Sequence, residues 1–272
     1  MNSKRRVPLQ STIHGTIIAA LAWGTLAGAG TAFGADEPTK GSAKASTTHL
    51  VESGDLALQI ERVRARGEIE NLMGRYSFNH TAGMHAQCVD LFAMKTPGLR
   101  VEMVWGVYNG PEGIRKLYPG FHAWSDGNGI GKMFIHTMTT PVIEVAGDGM
   151  TAKGVWVSPG SETMQPGNDL TLEPKGRWSW IKYGADFIKE EGQWKIWHMH
   201  VYGLFSSDPD KSWVDEKFNA EQVQGYRNKL PKEFQPDAPP TTRLWKYQKD
   251  VKPELVPVPP KPYLHFDPAT AY

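Results

Sequence analysis

Apolar positions recur at helical spacing through Leu56, Ile60, Val63, Ile69, Leu72, Met73 and Tyr76, with Asp55 placed to cap the start and Gly83 to stop the run. A long first helix is predicted. A shorter one is expected over Met84 to Met94, carrying Val89, Leu91 and Phe92 and ending at Thr96-Pro97-Gly98. Leu99 to Tyr108 alternates as one strand, Asn109-Gly110 is a turn signal, and Pro111 to Tyr118 reads as a helix with proline in its first turn. From Met133 the period drops to two. Met133 to Val145 and Thr151 to Pro159 flank Ala146-Gly147-Asp148-Gly149, and Arg177 to Lys189 and Trp194 to Phe205 flank Glu190-Glu191-Gly192, so two hairpins should follow each other. Helices at the front and antiparallel strands behind them define an α+β protein with a curved sheet folded over helices.

The last of these strands carries the most chemistry. Strict alternation sends Trp194, Ile196, His198, His200, Tyr202 and Leu204 to one face, which starts as core and changes to groups that move protons near neutral pH. That is how a pocket wall reads, with a pair of satisfied core or surface histidines as the alternative.

The ends of the chain have a different character. Lys4, Arg5 and Arg6 precede an apolar stretch from Ile13 to Ala29 and a small-x-small site at Ala32-Phe33-Gly34, so residues 1–34 read as a secretory signal peptide and the mature protein as periplasmic or secreted. The apolar run is too short and glycine-broken for a retained span. Residues 35–55 form a polar, flexible lead-in, residues 56–207 the folded domain, and residues 208–272 a proline-rich segment with scattered Trp213, Trp245, Tyr247, Tyr263 and Phe266. Proline keeps that segment out of interior strands, and its aromatics favour an extended arm docked on the domain or on a neighbouring subunit. A homo-oligomer, dimer or trimer, is expected.

Composition narrows the partners. Thirty basic and twenty-nine acidic side chains give a formal charge of +1, which points to no nucleic acid. Cys88 is the only cysteine, so no internal disulfide exists, and its apolar neighbours mark it as core rather than nucleophile. Ten Trp, ten Phe and nine Tyr suit a wall holding an aromatic or hydrophobic small molecule.

The order of elements resembles the SnoaL-like branch of the nuclear-transport-factor-two-like superfamily, whose curved sheet and helices form a cone around one deep pocket. The resemblance is carried by Glu68 to Tyr76, by Trp105 to Arg115 with its Asn109-Gly110-Pro111, by His136 to Val145, by Gly149 to Gly154 and by Gly192 to His198. The family includes dehydratases, isomerases, cyclases, lyases of lignin-derived diaryl compounds and pure binding domains, so fold alone does not settle function. The resemblance to scytalone-dehydratase-like enzymes implies a catalytic imidazole at His136. It also sets His80 where that family has an aspartate paired with a histidine, and Trp156 near its second histidine.

The chemistry these residues permit is a cofactor-independent lyase or isomerase step, such as dehydration, deformylation or double-bond migration on an aromatic or polycyclic molecule. His136 is the expected base with His198 or His200 as partner, Tyr76 and His80 complete the catalytic set, and Trp105, Trp156, Trp180, Tyr183 and Tyr202 are expected to bind substrate. At most one of Lys182 and Tyr183 should face the pocket, since they alternate. Glu102 and Asp186, the nearest carboxylates, read as surface groups. No metal is expected. His198, His200 and His136 could ligate zinc or iron, but no ligand spacing such as HExxH accompanies them. A non-catalytic hydrophobic-ligand carrier and an oligomerisation scaffold are the rival readings.

Overall fold

The computed structural model describes residues 56–164, 171–216, 220–243 and 246–272. The expectations for residues 1–34 and 35–55, and for Trp245, lie outside that set. Helix α1 (Leu56–Thr81) buries Ala65, Ile69, Leu72, Met73 and Tyr76 along one stripe. Its first two turns differ from expectation: Leu56, Ile60 and Val63 share the helical period yet stay exposed. No described helix is long and apolar enough to cross a membrane.

Helix α2 (His85–Val89) is shorter than predicted. The single strand expected over Leu99 to Tyr108 is a hairpin of β1 (Arg100–Met103) and β2 (Gly106–Asn109), turned at Val104-Trp105. The helix predicted from Pro111 to Tyr118 starts as α3 (Gly110–Arg115), then widens into a π-helical stretch over Lys116–His122 and closes as α4 (Ala123–Asp126). Pro119 has no N–H to give back along the helix, and the wider π spacing carries the chain past it.

The long strand expected over Met133 to Val145 is likewise two, β3 (Met133–His136) and β4 (Thr139–Val145). Strand β5 (Thr151–Ser158) precedes β6 (Gly160–Met164), which the sequence reading missed. The longest strands, β7 (Lys175–Glu190) and β8 (Gln193–Ser207), are joined by Glu191 and Gly192, both at positive φ as a two-residue hairpin turn requires. The order is β2-β1-β8-β7-β5-β4, with β6 paired to β7 and β3 to β6. The β1–β8 pairing is parallel, unlike the all-antiparallel sheet expected.

Two register shifts in the β7–β8 ladder decide which side chains face the helices. Asp186 pairs with His198 but Phe187 with Ile196, so Trp197 is an extra residue; Trp180 pairs with Phe205 but Ile181 with Gly203, so Leu204 is another. An extra residue flips every side chain beyond it. Ile196, Met199 and Val201 therefore enter the core beside α1, whereas His198, His200 and Tyr202 point to the opposite side.

That opposite side is covered by extended chain of the C-terminal segment, while its helix α5 (Ala220–Lys229) brings Val223 and Tyr226 to the helix side. Ala238 bridges Val107, the Thr241 amide and hydroxyl donate to Glu102, Lys182 donates to the Val256 carbonyl, and the Tyr272 amide donates to Asp186 Oδ2 at 2.9 Å. The Tyr272 ring lies over Gly184, where an added Cβ would stand 2.6 Å from it. Cys88 sits in the core as expected, its thiol pushed up to about 12 by burial.

Candidate active site

The helix-facing side of β3, β6, β7 and β8 and the segment from α3 to α4 enclose a cavity of about 430 Å³. That volume suits a small organic ligand. One end of it is built from imidazoles, phenols and two carboxylates. His136 ends β3, and its Nε2 lies 3.0 Å from Glu162 Oε1 on β6; Ser77 of α1 fixes the same residue by donating to the His136 carbonyl at 2.5 Å. The His136 ring rests against Gly160, where a Cβ would come within 2.5 Å of it and 2.1 Å of the Ser179 carbonyl. Only glycine leaves that space.

Glu162 is a carboxylate in function as well as name. Burial alone would raise its pKa, but its hydrogen bond to His136, the charge of His136 and a bond from Ser179 outweigh burial and hold it below the usual range. A carboxylate only accepts hydrogen bonds, so the Nε2 that faces Glu162 is the proton-bearing nitrogen of the pair. The buried Nδ1 has no hydrogen-bond partner among the described residues.

Three more histidines continue the cluster. His80, late in α1, lies 6.3 Å from His136 and 4.8 Å from His122 between ring centroids, and His122 stacks on His85 at 5.3 Å. His85 Nε2 is 2.6 Å from Asp126 Oδ2. Burial, reinforced by His136 and His85, lowers His80 to about 3; burial first, then its three imidazole neighbours, push His122 well below its ordinary value. Both are neutral at physiological pH. Tyr76 accepts from Tyr118 at 3.2 Å and meets the edge of Tyr183 at 6.0 Å, and burial raises all three phenols well above their ordinary value. They remain neutral donors. Among the described residues no group of three or more His, Cys, Asp or Glu is arranged to hold a metal ion.

Of the expected catalytic residues, His136, His80 and Tyr76 line this cavity, and of the expected binding residues Trp105, Trp180 and Tyr183 do. Trp105 is oriented by donating to Tyr108 at 3.0 Å, while Trp180 stacks on Phe205 at 5.4 Å. Four expectations are corrected. His198 and His200 are on the far side of the sheet because the Trp197 bulge reverses their phase, and Tyr202 goes with them, stacked on His200 at 3.9 Å. Trp156 is core, packed against Phe187. Lys182 also points away, leaving Tyr183 as the cavity residue of that pair.

The carboxylates Glu102 and Asp186, expected at the surface, are 3% and 0% exposed. Asp186 accepts from Lys153 at 2.7 Å and pairs with His198 Nδ1 at 2.8 Å, while Glu102 is 3.3 Å from His200 and takes bonds from Thr241. Burial pulls His200 down to about 4 against the upward pull of Glu102.

Glu162, His122 and Asp126 were not anticipated. The run Ser161-Glu162-Thr163 has no apolar alternation to mark a strand, and the proline at 119 concealed the others.

The family model for the SnoaL-like domain matches residues 61–200, and the chain belongs to that family. No curated protein matches it in sequence. Solved structures similar to it include a protein assigned as a scytalone dehydratase from Novosphingobium aromaticivorans, at 15% identity over 57% of this chain and 93% of that one, with a TM-score of 0.44. A hexachlorocyclohexane dehydrochlorinase, LinA-type3, from Novosphingobium barchaimii is similar at 15% identity over 57% and 96%, TM-score 0.43. A protein of unknown function from Mycobacterium tuberculosis matches at 20% identity over 64% and 91%, TM-score 0.39.

Proposed function

We propose that this protein is a cofactor-independent lyase or isomerase that removes a proton from an aromatic or polycyclic small molecule. The observation that carries this reading is the His136–Glu162 pair at the wall of a 430 Å³ cavity. Glu162 orients the His136 ring and stabilises the imidazolium that forms when the ring takes the proton. The neutral phenols Tyr76 and Tyr183 border the same space and are suited to donate to the oxygen that gains negative charge. A neutral His80 adds a hydrogen-bonding edge without a competing positive charge. Elimination and double-bond migration both need these parts, provided the substrate supplies its own phenol or carbonyl. Export through the signal at residues 1–34 belongs to the same reading; N-terminal sequencing of protein from the native host, beginning near Ala35, tests it.

Proton abstraction can be tested before the substrate is found. Arylmethyl ketones such as 2-tetralone, incubated in deuterium oxide, should exchange the hydrogens beside the carbonyl faster with wild-type protein than with His136→Gln. Binding without exchange would instead favour a carrier of hydrophobic ligands.

A further inference from the structure

Beyond Glu162, on the side away from β3, the cavity wall carries two cationic groups. Arg177 of β7 and Lys246 of the C-terminal segment both line it, and both donate to one neutral oxygen, Ser206 Oγ, at 2.7 and 2.8 Å. Two positive groups are thus gathered at one point. Burial and then the charge of Arg177 lower Lys246 to about 8, with Glu162 and Glu216 opposing. The planar guanidinium matches a carboxylate through two parallel hydrogen bonds.

Geometry relates the two ends. Phe134, Glu162 and Arg177 share a row across β3, β6 and β7, with His136 two residues further along β3. Two strand spacings put Arg177 roughly 10 Å from β3. Phe134, Trp180 and Phe205 line the same space, which gives an aromatic ring apolar surface to pack against. A second cavity of about 170 Å³ shares Arg177, Phe205, Ser206 and Lys246 and brings Glu216 to its wall.

We propose that the substrate is an aromatic carboxylic acid, its carboxylate held by Arg177 and Lys246 and its reacting carbon turned toward His136. This rests on the proton-transfer reading above and names the substrate class for it.

Calorimetric titration of the intact protein with 2-naphthoate and its neutral isostere 2-naphthamide tests the idea. At neutral pH and low salt, naphthoate should bind about tenfold tighter, the gain expected of a charge-assisted hydrogen bond. Arg177→Gln and Lys246→Gln should each cut that preference severalfold while leaving naphthamide affinity unchanged. His136→Gln should keep the preference, which separates anion binding from proton transfer. Equal affinity for the two probes, or a preference that survives in both cation variants, would overturn the proposal and leave the cavity reading standing. If neither probe binds, the cavity reading falls with it.

Discussion

Both faces of the β7–β8 hairpin carry histidine–carboxylate pairs, yet only one face has the makings of a reaction site. On the helix side His136 and Glu162 border a cavity. On the other side His198 pairs with Asp186 and His200 with Glu102, equally buried, but backbone and side chains of the C-terminal segment bond to both carboxylates. Asp186 alone receives Lys153, His198 and the Tyr272 amide. The chemistry of the pairs is alike, and what separates them is whether empty space adjoins the imidazole. A buried pair roofed by the chain secures a surface; one whose imidazole borders a cavity can act on a ligand.

The sharpest way to break this contrast is substitution of the histidines themselves. His136→Gln should cost about 10² to 10⁴ in turnover, with a smaller change in melting temperature because the amide can still donate to Glu162. His198→Ala and His200→Ala should reverse the pattern, keeping turnover and losing stability. Comparable activity losses for all three would mean that the phase assigned to β8 is wrong.

Nearly as large should be the effect of removing Asp186, this time on stability. Asp186→Ala leaves the buried Lys153 ammonium without its counter-ion, a change that costs on the order of 3 to 5 kcal/mol when a buried pair is broken. Chemical denaturation measures it. A loss under about 1 kcal/mol would show that the C-terminal segment does not seal that side in solution.

How far the sequence disclosed this arrangement depends on the element. The buried stripe of α1 and the central hairpin were legible, because periods of 3.6 and 2 are averaged over many residues. The faces of β8 were not. Alternation is a counting rule, and one uncounted residue at Trp197 moves His198, His200 and Tyr202 across the sheet without any local mark in the sequence. His136 was legible through family resemblance, and its partner Glu162 was not, since β6 is five residues long with a polar face. His122 was missed because Pro119 reads as a helix stop, whereas the π spacing lets the helix run on.

A milder test presses on the space beside His136. Gly160→Ala would set a Cβ against both the imidazole and the Ser179 carbonyl, overpacking that typically costs about 1 to 3 kcal/mol. The ring should turn away from Glu162, so turnover should fall more than melting temperature does. The reference is Gly184→Ala on the other side, which collides with Tyr272 and should lower stability with turnover retained.

Taken per pH unit, the smallest effect expected is on the pH dependence of stability, where the two faces should differ in degree. In the folded protein burial holds His80 at about 3 and His200 at about 4, while an unfolded histidine titrates near 6.5. Above that value both states leave these imidazoles neutral and they add no pH dependence. As pH falls below about 6.5, the unfolded chain takes up protons that the folded chain refuses, so stability declines until the folded pKa is reached. Each such histidine accounts for at most about 1.4 kcal/mol per pH unit. His80→Gln should flatten the fall in melting temperature between pH 6 and 4, and His200→Gln should do so over a narrower range, since its folded pKa lies nearer the ordinary value. If His80→Gln leaves the slope unchanged, the imidazole at the cavity end is not the neutral group on which the proton-transfer scheme depends.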